Sequence, residues 1–329
     1  MASGASMPRA IRPMKAVLAA HLPEGEGWSF EIKWDGIRAI GFIEAGSLRL
    51  QSSNLHDITP RFPELASLAT ELAGHDTIVD GEIVAFNRFG VPDFGLLQRR
   101  IHISNEHAIA DWVQRLPIVY VLFDLLWLDG NDLTQLPYEN RRSLLEELIQ
   151  PGSNWQVPPA HPGNGRELLD LATARSLEGV VAKRRESPYE PGRRSPAWRK
   201  IKVRRQQEFV VGGWIPGRGG HANHIGSLLL GYFDGPHLRF AGKVGTGFTR
   251  AELERLARVL APLESADCPF EPPPSPQASV RAAHWVRPEL VVQVAYSEWS
   301  HEGHLRHPSY LGQRYDKDAR EVMREEPVV

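Results

Sequence analysis

The chain has 329 residues, and at roughly 150 residues per domain this length predicts about two domains. Hydrophobic residues make up 42% and charged residues 24%, which is ordinary for a globular protein and excludes a collagen-like, fully disordered or membrane-spanning chain. The formal net charge is −2, so a basic surface for a nucleic acid must be local, and the single cysteine, Cys268, excludes an intramolecular disulfide, a Cys-rich zinc finger or an iron–sulfur cluster.

Up to about residue 203 the sequence predicts a mixture of strands and helices. Segments rich in β-branched and aromatic residues alternate with Gly-rich or polar turns, which is typical of strands. The apolar run Ile118–Leu128 is too continuous to alternate, which favours a strand buried on both faces. Apolar residues at helical spacing predict two helices, one ended by Gly74 and one by Pro151. The predicted strands are 28–34, 38–42, 48–52, 77–86, 118–128, 179–184 and 197–203, and the predicted helices are 60–74 and 138–149.

After about Val203 the pattern changes to short strands joined by Gly-rich turns. Such strands with one helix, in about 125 residues, suggest a small β-barrel. We place the boundary near Lys202–Gln207, which gives domains 1–203 and 204–329. The Pro-rich segment Pro269–Pro276 cannot be regular structure and is predicted to be an exposed connector. The predicted strands are 208–214, 227–233, 238–245 and 289–299, and the predicted helix is 249–263.

A basic segment, 183–205, holds ten Lys or Arg and two Glu although the chain is slightly acidic overall. One interpretation is a solvated surface run. The other is a phosphate-binding surface in a cleft between the two predicted domains. Lys200 and Lys202 lie two residues apart within this segment, so on a strand both point to the same face.

The sequence Lys33-x-Asp35-Gly36-x-Arg38 carries the strongest chemical signal. A lysine closes one predicted strand, a glycine turn follows, and an arginine starts the next strand. A surface hairpin with solvated charges would also explain this pattern. A free lysine, with a pKa of about 10.4, is a poor nucleophile at neutral pH, and neighbouring cations favour its neutral form. Lys200, Lys202 and a bound divalent metal would supply those charges.

Six further segments follow in order, and together they resemble the motifs of the covalent nucleotidyltransferases. That superfamily includes ATP-dependent DNA ligases, RNA ligases and mRNA capping enzymes. The resemblance covers nearly the whole chain. The matching segments are 33–38, 52–59, 80–82, 123–124, 178–183, 198–202 and, for the last motif, 306–308 with 314–317.

Within the superfamily the chain is similar to the ligase domain of bacterial ATP-dependent end-joining ligases, the ligase D type. Segments 226–231, 242–248 and 306–309 carry this similarity. The resemblance implies an α+β fold, in which a nucleotidyltransferase (adenylation) domain of antiparallel sheets and helices precedes a small OB-fold β-barrel domain. The family usually has Ser-Arg-Asn-Gly where this chain has Ser52-Ser53-Asn54-Leu55, so the phosphate-contacting arginine is missing. Either nick binding and the later steps are weaker, or another arginine such as Arg61 substitutes.

The resemblance implies an ATP-dependent DNA ligase that acts in DNA repair, recombination and non-homologous end joining. Lys33 attacks the α-phosphorus of ATP and forms a lysyl-AMP. The AMP passes to a 5′-phosphate at a DNA break, and the 3′-hydroxyl then displaces it. The protein mainly positions groups and neutralises charge during such phosphoryl transfers.

The resemblance also assigns roles to individual residues. Lys33, Lys200 and Lys202 are the expected catalytic residues, and Glu178 is the expected metal-associated carboxylate, for Mg²⁺ or Mn²⁺. An ordinary ion pair with Lys183 is the alternative role for Glu178. Core packing is the alternative role for Phe123. The expected nucleotide contacts are Glu31 near the adenine edge, Lys33, Arg38 at the ribose or a phosphate, Glu82 at a ribose hydroxyl, Phe123 against adenine, Lys200 and Lys202 at the α-phosphate, and Arg314 and Lys317 at the pyrophosphate.

The expected partners are nicked or broken double-stranded DNA and a Ku-like end-binding protein, with no membrane and a monomeric state. No targeting segment is predicted, so we expect a cytoplasmic, nucleoid-associated protein. Two predicted domains account for the 329 residues, so we expect no fused polymerase or phosphoesterase module. The alternatives are a non-catalytic DNA-binding module, which would need no nucleophile, and an RNA ligase or capping-type nucleotidyltransferase.

Overall fold

A computed structural model describes residues 6–101, 103, 105–203, 205–217, 224–275, 280 and 282–326. These residues form two compact units, one that runs to Val203 and one that ends at Glu325. In the parts described, we find no helix with the length and apolar character needed to cross a membrane.

The first unit contains two mostly antiparallel sheets. One has the strand order β1-β11-β10-β2-β9, and the other has the order β4-β3-β5-β6-β7 with β8 beside β6. The strands are β1 (Lys15–Leu18), β2 (Trp28–Lys33), β3 (Ile37–Glu44), β4 (Ser47–Ser52), β5 (Thr77–Ala85), β6 (Ile118–Leu128), β7 (Asn131–Asp132), β8 (Trp155–Gln156), β9 (His161–Pro162), β10 (Gly179–Arg184) and β11 (Arg194–Lys202). The helices are α1 (Ser67–Glu71), α2 (Phe94–Ile101), α3 (Glu106–Arg115), α4 (Tyr138–Leu148) and α5 (Gly165–Ala174).

The first sheet separates its side chains by the two-residue period of a strand. One face packs against α5, and this core includes Phe30 of β2, Val180 of β10 and Leu168 of the helix. The other face approaches the second sheet, where Trp198 of β11 meets Phe123 of β6 with ring centroids 6.4 Å apart. The polar residues of that second face therefore lie between the two sheets.

The predicted helix over 60–74 is mostly wrong. The structure has two short 3-10 turns, Thr59–Arg61 and Pro63–Ala66, and only the single helical turn of α1. Pro63 lacks a backbone N–H and disfavours helical geometry at the residue before it, which explains the break at Phe62. The leucine spacing still places Leu65 and Leu68 in the core.

The second unit is built on an antiparallel sheet with the path β14-β13-β12-β17-β20, to which β16 and β15 attach at β12. The two ends of this path meet, since Tyr310 near the start of β20 donates its backbone N–H to the carbonyl of Thr246 just after β14, at 2.9 Å. The elements are β12 (Gln206–Pro216), β13 (Ile225–Asp234), β14 (His237–Val244), α6 (Arg250–Leu260), β15 (Glu264–Ser265), β16 (His284–Val286), β17 (Val291–Ala295), β18 (Glu298–Trp299), β19 (Leu305–Arg306) and β20 (Ser309–Gln313), with 3-10 turns at Ala261–Leu263 and Ala319–Glu321.

The Pro-rich segment is not simply an exposed connector. Phe270 is fully buried, pairs with Leu238 in an isolated bridge and packs edge-on against Phe240. An aromatic side chain of this size gains about 2–3 kcal/mol when it leaves water, so it anchors the segment to the sheet. The last predicted residue of the segment, Pro276, lies outside the described residues.

The turn after β4 holds Leu55 in a backbone conformation that suits glycine. Its φ is +65°, and its N–H donates to the carbonyl of Ser52 at 2.9 Å. Left-handed geometry brings the Cβ of an L-residue close to its own carbonyl, at a cost of roughly 1–2 kcal/mol. Leu55 is also the position where the resembling family usually has glycine.

Leu55→Gly is therefore expected to stabilise the protein by about 1 kcal/mol, because it removes the Cβ clash. Thermal unfolding of the variant and the parent protein measures this. Asn54→Gly is the matched control, since Asn54 lacks the positive φ and its replacement adds only chain entropy to the unfolded state. Equal midpoints for Leu55→Gly and Asn54→Gly would contradict the assignment of strain to Leu55.

Candidate active site

Strands β2 and β11, which flank β10, bring three lysines to one face of the first sheet. Lys33 at the end of β2 lies opposite Gly179 of β10, and Gly179 lies opposite Lys202 of β11. Two residues along, Glu31 and Lys200 lie opposite the same residue of β10. Side chains alternate along a strand, so Lys33, Lys200 and Lys202 share one face, and Lys33 and Lys202 are two strand spacings, about 10 Å, apart. The predicted placement of Lys200 and Lys202 on one face is confirmed.

Glycine at position 179 permits this close pairing. A Cβ on Gly179 would lie 2.0 Å from the carbonyl oxygen of Ile201, which no side chain tolerates. The carboxylate of the preceding residue, Glu178, accepts a hydrogen bond from Lys33 Nζ at 2.5 Å. The Glu178 side chain is 4% exposed and that of Lys33 is 22% exposed. The proposed nucleophile thus reaches solvent, while its carboxylate partner is buried.

Glu31 is enclosed by polar partners between the two sheets. Lys183 Nζ lies 2.9 Å from one carboxylate oxygen, and the Tyr138 hydroxyl donates to the other. Arg142 adds a second positive charge at 3.8 Å. Burial lowers the pKa of Lys183 although Glu31 acts in the opposite direction, and burial together with Glu31 raises the pKa of Tyr138. Lys183 therefore pairs with Glu31, and the alternative pairing with Glu178 is wrong.

Aromatic rings surround the buried Lys183 ammonium. Its Nζ lies 4.5 Å from the ring centroid of Phe123, 4.9 Å from that of Tyr138 and 4.4 Å from that of Trp198. It also donates to the carbonyl of Phe123 at 3.3 Å. Cation–π attraction increases when the cation is desolvated, so these rings help to keep the charge in the core.

The second sheet contributes Arg38 and Asp80, which form a bidentate pair. Arg38 Nε and Nη2 lie 2.5 and 2.6 Å from the two Asp80 oxygens, and the Tyr189 hydroxyl donates to Asp80 at 2.6 Å. Burial disfavours the Arg38 charge, but Asp80 raises the pKa of Arg38 above its ordinary value. Glu82 lies opposite Arg38 in the pairing of β3 with β5 and is half-buried.

For Phe123 the sequence left two roles open, packing in the core and contact with adenine in the site. It is 9% exposed and belongs to the core cluster between the sheets. Arg38 lies over its ring, with Cζ 4.6 Å from the centroid. The geometry shows the core packing, and a contact with adenine stays a prediction.

The two predicted pyrophosphate residues lie in the second unit. Arg314 is 7% exposed and forms a bidentate pair with Asp316, with N–O distances of 2.9 and 2.8 Å, while its Nη1 donates to Gln293 at 2.7 Å. Lys317 Nζ lies 3.5 Å from Glu208. Burial acts to raise the pKa of Asp316, but the Arg314 guanidinium lowers it below its ordinary value.

Several residues of the first-unit site have no role in the sequence analysis. Tyr138, Arg142 and Tyr189 come from a predicted helix and from the basic segment, and nothing in their spacing indicates that they meet Glu31 or Asp80. Lys183 lies in the motif segment 178–183, two residues from Val181, which is paired with Glu31 and Lys200. Side chains two residues apart on a strand share a face, so this periodicity could have placed Lys183 on the Lys33 face.

Comparison with known proteins decides the family. The sequence pattern of the "ATP dependent DNA ligase domain" matches residues 11–202, and that of the "ATP dependent DNA ligase C terminal region" matches residues 221–317. The chain belongs to the ATP-dependent DNA ligase family. The two matched regions fall in the first and second unit, respectively.

Curated relatives carry the name LigD. The chain is 42% identical over 296 residues to the multifunctional non-homologous end joining protein LigD of Mycolicibacterium smegmatis, and 37% identical over 326 residues to that of Pseudomonas aeruginosa. These alignments cover 90% and 98% of this chain, but only 37% of each relative. The chain thus spans little more than a third of the length of these ligases.

Solved structures agree with this assignment. A mycobacterial DNA ligase D complexed with ATP and MES matches with a TM-score of 0.68 at 39% identity, covering 96% of this chain and 98% of that one. The ligase domain of Mycobacterium tuberculosis LigD matches with a TM-score of 0.53 at the same identity and coverage. The family expected from the sequence is confirmed, and so is the fold class, a nucleotidyltransferase domain followed by a small C-terminal domain in an α+β chain.

Lys183→Met is expected to cost this ligase about 3 kcal/mol of unfolding free energy, because it leaves Glu31 as a buried charge without its lysine. This is the low end of the range for a broken buried pair, since Tyr138 and Arg142 still face the carboxylate. Denaturant unfolding measures the loss. The double variant Lys183→Met/Glu31→Gln should recover part of it, and a loss no larger than about 0.5 kcal/mol, as for a surface change, would contradict the role of the pair.

The Arg314–Asp316 pair predicts a pH dependence of stability in the second unit. A carboxylate with a lowered pKa in the folded state stabilises the fold above its ordinary value of 3.8, and this stabilisation is lost as the pH falls through the lowered value. The Asp316→Asn variant is therefore expected to be about 3 kcal/mol less stable than the parent protein at neutral pH. This difference in unfolding free energy should shrink in acid, as the pH falls through the lowered pKa of Asp316.

Urea titrations of the variant and the parent protein, from neutral pH to below the lowered pKa of Asp316, measure this difference in unfolding free energy. Asp267→Asn is the control, because Asp267 is an exposed carboxylate of the same unit. A difference between Asp316→Asn and the parent protein that stays constant into acid would show that the charge of Asp316 is not the cause.

Proposed function

We propose that this ligase seals breaks in duplex DNA through a covalent AMP intermediate on Lys33. The observation that carries the proposal is the placement of Lys33, whose side chain is 22% exposed, with its Nζ beside the buried carboxylate of Glu178 and on the same sheet face as Lys202. A binding module would gain nothing from a solvent-accessible amine next to a buried carboxylate. A nucleotidyltransferase needs a lysine nucleophile with a proton acceptor and cations close to it.

In the first step the Nζ lone pair of Lys33 forms a bond to the α-phosphorus of ATP, and the bond to pyrophosphate breaks. Lys33 must lose a proton to act as nucleophile, and the Glu178 carboxylate at 2.5 Å is the group positioned to hold that proton. Lys200 and Lys202, on the same face of the sheet, offset negative charge on the α-phosphate.

A divalent metal fits the chemistry of this site. Glu178 offers a carboxylate, the type of hard oxygen ligand that Mg²⁺ and Mn²⁺ prefer. It lies next to Lys33, on the sheet where Lys200 and Lys202 would bind the phosphates of ATP. When bound, the ion supplies positive charge to the phosphates.

The remaining contacts follow the residues around this centre. We assign Glu31 to the adenine edge, Phe123 to the adenine face, Glu82 to a ribose hydroxyl and Arg38 to the ribose or a phosphate. Each of these residues lies on the first sheet or the second, in the unit that holds Lys33.

We assign Arg314 and Lys317 of the second unit to the pyrophosphate group of ATP. Both lie in acidic surroundings, Asp316 for Arg314 and Glu208 for Lys317. A phosphate must therefore compete with a carboxylate for these cations, which makes the interaction reversible. A group that is to leave after the first step is best held in this way.

In the later steps AMP is transferred from Lys33 to a 5′-phosphate of DNA, and the 3′-hydroxyl then bonds to that phosphorus while AMP leaves. Nicked or broken double-stranded DNA is the proposed substrate. The names of the curated relatives support a role in end-joining repair. We also propose a Ku-like end-binding partner, a monomeric state and a location in the cytoplasm at the nucleoid.

Incubation with α-labelled ATP and Mg²⁺ or Mn²⁺ is expected to leave a label on the protein that survives denaturation, because the phosphoramide is covalent. Lys33→Arg should abolish the label, since arginine keeps the charge but does not lose a proton in proteins. Lys15→Arg is the matched control and should keep it. The starting protein must be shown by mass to carry no AMP.

A chase with nicked duplex DNA should then release the label as AMP and join the strands. Label that persists on Lys33→Arg would place the nucleophile elsewhere. Absence of label with both metals would contradict the proposed activity and favour a DNA-binding module.

A further inference from the structure

The basic segment 183–205 places charges on both faces of the first sheet. The face with Lys33 receives Lys183, Lys200 and Lys202. The opposite face receives Arg184 of β10 and Arg199 of β11, because each lies one residue away from a lysine in an extended strand. ATP at Lys33 therefore accounts for only part of the basic charge in this segment.

Arg184 and Arg199 line an open groove of about 550 Å³ that extends to the loop before β11. Arg184 lies opposite Trp28 in the strand pairing, and Arg199 lies opposite Ala182, so the two arginines are diagonal neighbours. Both guanidinium groups lie over the Trp28 ring, with Cζ 5.1 and 5.0 Å from its centroid. The indole holds two positive charges close together.

Arg193 and Arg194 add further charge to the groove, and Glu190 is its acidic residue. Glu190 lies 3.8 Å from Arg193, which is 77% exposed. Among the residues that the structure describes, no carboxylate pairs with Arg184, Arg194 or Arg199. Like charges at this spacing repel, so the groove is electrostatically suited to an anion.

Backbone contacts hold two of these side chains in place. Arg194 Nη1 donates to the carbonyl of Ala16 at 2.9 Å, and Arg199 Nε donates to that of Pro196 at 3.4 Å. Each bond uses one of the five N–H donors of a guanidinium. The other N–H donors of these two planar groups suit bidentate binding of a phosphate.

We propose that this arginine groove, lined by Arg184, Arg193, Arg194 and Arg199, binds the phosphate backbone of duplex DNA. The site is separate from the one that presents the break to Lys33, since Arg184 and Arg199 are on the opposite face of the sheet. A duplex offers one negative charge per roughly 1.7 Å of its axis, so several arginines of the groove can contact its phosphates at once. Pro196 and Ala197 are the apolar residues in the lining of the groove and both are small, whereas a protein partner would need larger apolar anchors.

The inference rests on the proposed ligase function, and salt dependence tests it. Binding of the full chain to a long nicked duplex is measured by fluorescence anisotropy over a range of salt concentrations. In Arg184→Gln/Arg199→Gln the magnitude of the negative slope of log K against log salt concentration is expected to decrease by about 2. Each lost phosphate contact removes about 0.9 from this magnitude. Glutamine keeps most of the side chain over Trp28.

Arg166→Gln/Arg175→Gln is the matched control, because it removes two exposed arginines of the same unit, one in the first turn of α5 and one directly after its last residue, and changes the net charge equally. Its slope should stay near that of the parent protein. Arg193→Gln/Arg194→Gln is a second groove variant, which does not touch Trp28, and it should lower the slope as well. All three variants should still take up the ATP label on Lys33, which shows that they are folded.

An unchanged slope in both groove variants, in protein that labels and binds DNA, would overturn the groove proposal and leave the ligase function standing. It would favour an acidic protein segment as the occupant. An equal fall in the α5 control would also overturn the proposal, since net charge alone would then explain binding. A parent protein that neither labels nor binds DNA would overturn the proposed function together with the groove.

Discussion

The pairing of β2 with β10 and of β10 with β11 is the constraint on which the site depends. Its register aligns Lys33 with Gly179 and Lys202. A shift of one residue would turn Lys33 and both β11 lysines toward α5, where apolar side chains fill the core. Gly179 is central to this register, because only a residue without Cβ lets Ile201 approach. The fold thus positions these side chains through the backbone hydrogen bonds of the sheet.

Buried charges hold the second sheet to its surroundings. Asp124 of β6 and Arg141 of α4 are fully buried and bonded at 2.7 and 2.9 Å, and Asp80 pairs with Arg38 in the same bidentate geometry. Such pairs contribute little net stability compared with apolar residues of equal size, but loss of one partner is costly. They fix the relation of β3 to β5 and of β6 to α4 more specifically than apolar packing alone, since each fork accepts its partner in one orientation.

Strands with a clear pattern could be predicted from the sequence, whereas contacts distant in sequence could not. The run Ile118–Leu128 is β6 at the predicted bounds, and the two-residue spacing of Lys200 and Lys202 places both on one face as expected. The helix over 60–74 fails because Pro63 outweighs leucine spacing. The Glu31 pairs with Tyr138 and Lys183 join positions 107 and 152 residues apart, and no local pattern encodes such a meeting. The predicted roles at ATP and metal remain predictions.

In the second unit, the first strand is hydrogen-bonded to the segment with which the unit ends. Gln207, at the start of β12, donates its side-chain amide to the carbonyl of Met323 at 3.0 Å and accepts the N–H of Glu325 at 3.2 Å. Its two ends are therefore neighbours in space. A short peptide would be enough to join them, so this unit is suited to head-to-tail cyclisation or to transplantation into a loop of another protein without strain on its sheet.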